Sequence, residues 1–286
     1  MSLARSNVAD APGGELAAFC RRHPRLVVLT GAGCSTASGI PDYRDEAGDW
    51  KHPQPVQYQD FVSSAATRRR YWARSAIGWR RMDRARPNPA HSALASLERH
   101  GHVELLITQN VDGLHQAAGS RQVVDLHGRL DQVRCLDCTH SLPRPDFQAD
   151  LEGANPGWSP AAHPRPDGDA DLDDAAYREF RVPPCPACGG RLKPDVVFFG
   201  ETVPRERVER SFAALEAADA LLVVGSSLMV YSGFRFARRA AELGRPIAAV
   251  NRGRTRADEL LHLKIESDCT AALPALTTVL SARTVT

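Results

Sequence analysis

Short apolar runs rich in β-branched residues recur along the chain, each closed by turn-forming or polar residues. Residues 26–29 lead into Thr30-Gly31-Ala32-Gly33, and 104–108, 122–126, 196–199, 220–224 and 247–250 follow the same plan. An unbroken run of this length predicts a strand buried on both faces, as in a parallel sheet. Between the runs, residues 14–22, 69–82, 89–100, 205–218 and 233–243 bring apolar side chains back at three- and four-residue steps, which predicts helices. This alternation predicts an α/β fold with a doubly wound parallel sheet. Residues 46–86 and 131–191 break the rhythm and are read as a helical and a cysteine-bearing insertion that together form a smaller lobe. The main lobe then takes 13–45, 87–130 and 192–280, behind a disordered lead over 1–12. Within the second insertion, turn-forming clusters predict solvated loop across 142–184.

Composition narrows the function without naming it. With 286 residues, 43% hydrophobic and 24% charged, the chain is an ordinary globular one, and no apolar run reaches the roughly 18 residues of a membrane span. Its 36 basic and 34 acidic side chains nearly cancel, so neither a nucleic-acid nor a membrane partner is expected. Four of seven cysteines form two C-x-x-C pairs, Cys135/Cys138 and Cys185/Cys188, an arrangement that argues for metal rather than disulfides. Together with the lack of a leader pattern, this predicts a cytoplasmic protein. Four thiolates close a tetrahedral structural zinc site with no open position, although 46 residues separate the pairs and a loop must be extruded between them.

Polar residues cluster where the predicted strands end. Gly31, Ala32 and Gly33, with Ser35 and Thr36 behind them, make a turn whose backbone could approach a pyrophosphate, with a following helix adding its dipole. A Rossmann-like dehydrogenase would carry glycine at Thr36 and an acidic residue about 20 positions on, and this chain has neither. Gln109, Asn110, Val111 and Asp112 follow the second strand and could orient a sugar or water; Asn110 and Asp112 could equally cap a helix starting near Gly113. His127 is a candidate general base or a structural histidine. Gly225-Ser226-Ser227 and Asn251-Arg252-Gly253 add two more clusters on the same edge of the sheet.

The stretches 31–44 (GAGCSTASGIPDYR), 108–112 (TQNVD) and 126–128 (LHG), both cysteine pairs, 193–201 (KPDVVFFGE), 225–227 and Asn251 resemble, in order, the sirtuins, NAD-dependent protein-lysine deacylases. The resemblance implies that the main lobe binds NAD as a consumed co-substrate. Gly31, Ala32 and Gly33 would hold its pyrophosphate with Arg44 near the phosphates, and Ile40, Asn110 and Asp112 its nicotinamide, beside Pro41, Asp42 and Tyr43. Ser226, Asn251 and the backbone at Cys269 would hold the adenosine. His127 would deprotonate a ribose hydroxyl, with Asn110 and Asp112 as further catalytic residues, and nicotinamide and acyl-ADP-ribose would leave. Val197, Phe198, Phe199, Gly200 and Glu201 would pair with an acyl-lysine protein or peptide as an added strand. The zinc would be structural, one per chain. GIPDYR, Tyr71-Trp72-Ala73-Arg74 and Val230-Tyr231-Ser232-Gly233 look most like class II, the branch of mitochondrial sirtuin four. Tyr71 and Arg74 also resemble the pair with which class III sirtuins hold acidic acyl groups, although two such residues can simply be neighbours on an Arg-rich helix. Mono-ADP-ribosyl transfer and a non-catalytic zinc-ribbon nucleotide regulator stand as alternatives.

Overall fold

The computed structural model describes residues 12–51, 55–160, 163–164, 170–171 and 177–281. Most of the lead expected over 1–12 therefore lies outside the described residues, as does most of the turn cluster at 164–169. In chain order the elements are α1 (Pro12–Arg22), β1 (Leu26–Thr30), α2 (Tyr58–Ser63), α3 (Ala65–Met82), α4 (Pro89–Arg99), β2 (Val103–Thr108), α5 (Leu114–Ala117), β3 (Val123–Asp125), β4 (Gly128–Cys135), β5 (Ser141–Pro143), α6 (Arg144–Ala154), β6 (His163–Pro164), β7 (Ala170–Asp171), β8 (Leu192–Val196), α7 (Arg205–Ala217), β9 (Ala220–Val224), α8 (Tyr231–Glu242), β10 (Ile247–Val250), β11 (Leu263–Ile265) and α9 (Cys269–Ser281).

The main sheet is parallel, in the order β11-β10-β9-β1-β2-β3. Alternation along β1 explains its unbroken apolar run. Leu26 and Val28 face a layer built from α1, α4 and α9, while Val27 and Leu29 face α7 and α8. The chain winds from β1 outward through β2 and β3, then returns to β1's other side for β9, β10 and β11. The strand order thus reverses between β1 and β9, the place where open α/β sheets bind ligands.

The smaller lobe pairs β4 antiparallel with β5 and β8. Phe61, Trp72, Phe147 and Leu192 fill its core, and the Trp72 indole donates to the Leu192 carbonyl at 3.1 Å. A second group, with Ile40, Trp79, Met82, Leu130 and Val196, packs where this lobe meets the sheet.

Three expectations are corrected. The strand expected at 196–199 ends at Val196 and belongs to the small antiparallel sheet: Val197 N–H donates to the His127 carbonyl at 2.7 Å as the last rung of the ladder with β4, and Phe198 N–H then turns to Glu201 Oε2 at 2.9 Å. The stretch 142–184 is not all loop: α6 buries Phe147 and Leu151, a stripe of two residues too short to read as a helix. No α-helix follows the first glycine turn. Two single 3₁₀ turns, Ala32–Cys34 and Thr36–Ser38, end at Gly39 in the left-handed region, so no helix dipole is aimed at the turn. The short β11 is too brief to predict, and in α9 a regular apolar stripe at 269, 272, 273, 276, 279 and 280 is masked by Pro274 inside the helix.

Gly128 joins the two sheets at φ +82°, and a Cβ there would lie 1.9 Å from the Asp195 carbonyl oxygen. Gly128→Ala is expected to cost about 2 kcal/mol or more, read as a lowered urea midpoint; an unchanged midpoint would show that the junction can relax.

Candidate active site at the switch point of the sheet

The carboxyl ends of β1, β2, β3, β9 and β10 open into one cavity of about 950 Å³. Its floor depends on glycine. Gly33 N–H donates to the Gly225 carbonyl at 2.9 Å, and a Cβ on Gly225 would fall 2.3 Å from the Cys34 nitrogen. A Cβ on Gly31 would lie 2.7 Å from that of Ser226. Bare backbone therefore lines the turn, which suits a pyrophosphate. Thr36, where a dehydrogenase carries its third glycine, donates its hydroxyl to the Gly33 carbonyl at 3.1 Å; with no helix packed against the strand here, a third glycine has no steric task.

Ser35, Asn110 and Asp112 form a polar knot at this turn. Ser35 Oγ donates to Asp112 Oδ2 at 2.7 Å, while Asn110 Nδ2 donates to Ser35 Oγ and to the Gly31 carbonyl, each at 3.0 Å. Asp112 Oδ1 also accepts from Leu114 N–H at 2.9 Å. The N-cap of α5 is Gly113, so Asp112, one residue earlier, holds the first helical N–H in a local turn while standing on the cavity wall. Burial pushes its carboxyl up from the ordinary range, with the Leu114 and Ser35 bonds opposing. The Gln109 side chain donates to Ser226 Oγ at 2.8 Å and so spans β2 and β9.

His127 is oriented by its neighbours. Its Nδ1 lies 3.0 Å from the Gln109 carbonyl, which can only accept, so Nδ1 carries the proton and Nε2 keeps its lone pair in the neutral ring. Ser232 Oγ stands 2.7 Å from Nε2. Burial holds the ring's pKa down at about 4, against the favourable Gln109 bond. Neutral imidazole is thus the form present near pH 7, as a proton acceptor requires.

The loop at 40–51 covers one side. Arg44 lines the cavity, yet its guanidinium donates to the Gly48 carbonyl at 2.7 Å and stacks 4.0 Å from the Trp50 ring. Asp42 pairs with Lys51 at 2.6 Å. Ile40, Pro41 and Tyr43 complete this wall. Opposite, Val197, Phe198, Phe199, Gly200 and Glu201 border the cavity as a bent segment rather than a strand. Part of its backbone is already bonded: Phe198 N–H donates to Glu201 Oε2 at 2.9 Å and the Phe199 carbonyl accepts from Tyr58 N–H at 2.8 Å. Val111, Gly225, Ser226, Ser227, Asn251, Arg252 and Cys269 also border the cavity.

Two expected site residues do not. Gly253 is spent on a left-handed turn, where a Cβ would meet the Glu46 backbone at 2.4 Å. Tyr71 lines the cavity among Phe61, Trp72 and Phe198, but Arg74 is absent from its wall; three residues along a helix displace a side chain by about 4.5 Å axially and rotate it by about 60°. Sequence reasoning missed Ser232, and also His91 and His115 beneath the glycine turn. His115 Nε2 lies 2.9 Å from Thr30 Oγ1, while His91 Nδ1 accepts from Asn88 N–H at 3.3 Å in a capping box. The Asn88-Pro89-x-His91 spacing was the available signal for the latter.

In the small lobe, the sulfurs of Cys135, Cys138, Cys185 and Cys188 lie within 4.8 Å of one another, with Cys135–Cys188 at 3.6 Å and Cys138–Cys185 at 3.8 Å. A tetrahedron with Zn–S bonds of about 2.3 Å has edges of about 3.8 Å, so the four cysteines fit zinc. Asp137 N–H points at Cys135 Sγ at 3.3 Å, and Arg191 N–H braces Asp137 at 2.7 Å.

The arrangement is that of a doubly wound nucleotide-binding protein with its cleft at the switch point. More particularly, the chain belongs to the Sir2 family, whose pattern matches residues 31–232. A protein of Xanthomonas campestris pv. campestris named NAD-dependent protein deacetylase is 65% identical over 92% of this chain and 90% of its own length. NAD-dependent protein deacetylase 2 of Bradyrhizobium diazoefficiens is 63% identical over 90% of this chain and 95% of its own. A solved structure described as Sir2-p53 peptide-NAD+ superposes with a TM-score of 0.77 at 30% identity, covering 94% of this chain and 98% of that one.

Two outcomes are expected. Elemental analysis of active protein should find one zinc per chain; well under one equivalent would overturn the structural-zinc assignment. In the free protein the His127 ring should remain neutral at pH 6, where an ordinary histidine is about three-quarters protonated. His127, His91 and His115 all have lowered folded-state pKa values, so the unfolded chain binds more protons between about pH 4 and 6.5, and stability should rise with pH across that window. An imidazole NMR titration of His127 with its midpoint near 6.5 would contradict this.

Proposed function

We propose that the chain is an NAD-dependent protein-lysine deacetylase that consumes NAD and releases nicotinamide and acyl-ADP-ribose. The observation that carries this reading is His127: a neutral, oriented proton acceptor on the floor of a glycine-built cleft, in a chain 65% identical to a protein named NAD-dependent protein deacetylase. NAD supplies the ribosyl centre to which the acyl oxygen is transferred. Gly31, Ala32 and Gly33 hold its pyrophosphate, with Ser35, Thr36 and Arg44 beside them. Asn110, Asp112 and Ile40 seat the nicotinamide, and the Ser35 bonds fix the directions in which the amide and carboxyl point. Gln109, Ser226, Ser227, Asn251, Arg252 and Cys269 hold the adenosine end. His127 accepts a proton at Nε2 from a ribose hydroxyl, and Gln109 steadies the ring as its charge changes.

Val197 and Ser232 flank His127, one on its backbone and the other on its ring, so an acyl-lysine peptide reaches the base between these segments. Tyr71 with Phe198 walls the acyl end. Pairing of the peptide with 197–201 uses the backbone groups that the Glu201 and Tyr58 bonds leave. The zinc, saturated by four thiolates, holds the small lobe together and takes no part in the chemistry. The Xanthomonas and Bradyrhizobium relatives, named simply as NAD-dependent protein deacetylases, lend no support to a class II placement beside mitochondrial sirtuin four.

His127→Ala is expected to lose about a hundredfold or more in deacetylation while NAD binding stays measurable, because the base acts once NAD is seated. Wild-type turnover on acetyl-lysine peptides would remove His127 from the reaction, and ADP-ribosylated protein as the main product would favour ribosyl transfer instead.

A further inference from the structure

Tyr231, the first residue of α8, is the one large hydrophobic residue among the described residues that is exposed, at 44%. Three guanidiniums surround its ring: Arg235 and Arg238 at 5.5 Å and Arg256 at 5.9 Å from the centroid. Arg256 also stacks 4.5 Å from the Phe234 ring. Such a cluster gathers like charges, and among the described residues no carboxylate pairs with Arg235 or Arg256; only Arg238 has one, Glu242, at 3.4 Å and exposed. Arg235 Nε is buried without a hydrogen-bond partner. The aromatic ring lessens repulsion among the cations by offering its negative face, but it neutralises none of them.

The position of this cluster gives it a use. Ser232, the next residue, touches His127 Nε2 at 2.7 Å, and Tyr231 and Arg235 border the active-site cavity. Arg235 is also close enough for its charge to depress the His127 pKa. From Ser232, Arg235 and Arg238 lie one and two helical turns on, about 5 and 9 Å. An extended peptide advances about 3.3 Å per residue. A chain with its acyl-lysine at His127 therefore carries residues about two to three positions away across these guanidiniums.

We propose that Arg235, Arg238 and Arg256 around Tyr231 form a docking surface for acidic residues flanking the acylated lysine, so that the enzyme selects acyl-lysines in acidic segments of its protein substrates. This rests on the deacetylase reading of the same site. Guanidiniums bind carboxylates bidentately, and several at a cleft mouth steer anionic partners as well as hold them.

The test uses the intact protein and acetyl-lysine peptides carrying Glu, Gln or Lys two to three residues to either side of the lysine. Binding is followed by fluorescence anisotropy and turnover by product release. The Glu peptide is expected to bind roughly five- to tenfold tighter than the Gln peptide at low salt, with the gain in KM rather than kcat and diminishing at 0.5 M salt. Arg238→Glu with Arg256→Glu, both on exposed side chains outside the cavity wall, is expected to reverse the preference toward the Lys peptide while leaving KM for NAD and turnover of the Gln peptide unchanged. Equal affinity of the wild type for all three peptides overturns the proposal, as does a double variant that weakens every peptide alike or raises KM for NAD. Because anisotropy reads docking without chemistry, absence of turnover would count against the deacetylase reading and leave the charge preference to be judged from binding alone.

Discussion

The approach of two backbones between β1 and β9 is the constraint on which the molecule depends. Gly33 and Gly225 are in direct hydrogen-bonded contact, and neither tolerates a Cβ without displacing the other strand's turn. That closeness brings Gln109 within reach of Ser226 and carries the Gln109 carbonyl to His127. Turn, amide bridge and imidazole therefore form one connected object. The nucleotide cleft is the space left over when two halves of a sheet diverge from a line along which only glycine fits.

The chemistry of the cleft follows from what surrounds each ionisable group. Three histidines near the switch point are all driven toward the neutral form by burial, yet only His127 keeps its unprotonated nitrogen at the cavity. His91 Nδ1 is spent on a helix cap and His115 has its Nε2 on the Thr30 hydroxyl, both away from the cavity wall, whereas the hydroxyl beside His127 Nε2 is that of Ser232, itself on the wall. Similar desolvation thus yields a proton acceptor in one place and packing in two others, and access separates the two outcomes.

Much of this was legible in the chain itself. Strands buried on both faces advertise themselves by continuous apolar runs, as with β1, β9 and β10, and polar clusters just beyond them mark the ligand edge. Metal spacing identified the four cysteines because paired thiolates have few other uses. Legibility failed where tertiary contact overrides local pattern. Val197–Phe199 has the composition of a strand, but the Phe198 N–H is claimed by the Glu201 carboxylate. Phe147 and Leu151 on α6 are buried by Trp72 and its neighbours rather than by a repeating stripe. Arg74 sits in a motif that suggests a pocket, whereas the rotation of α3 places only Tyr71 on the wall. Ser232 carried no signal, since a lone serine acquires meaning only from the ring it touches.

Lys193 is fully buried, with its ammonium 2.9 Å from Glu201 and above the Phe198 ring. It stands five residues beyond Cys188 on the strand that leaves the cysteine cluster. One short stretch of chain thus leads from the metal lobe to the wall of the cleft, where Glu201 pairs with both Lys193 and Arg134 at 2.9 Å, while the glycine turn belongs to a different lobe. Damage to the cysteine cluster would spread along β8 to the 197–201 wall before it reached the glycine turn. The two walls of the cleft rest on different elements, β8 for one and the turn after β1 for the other, so selection can retune one with little disturbance of the other.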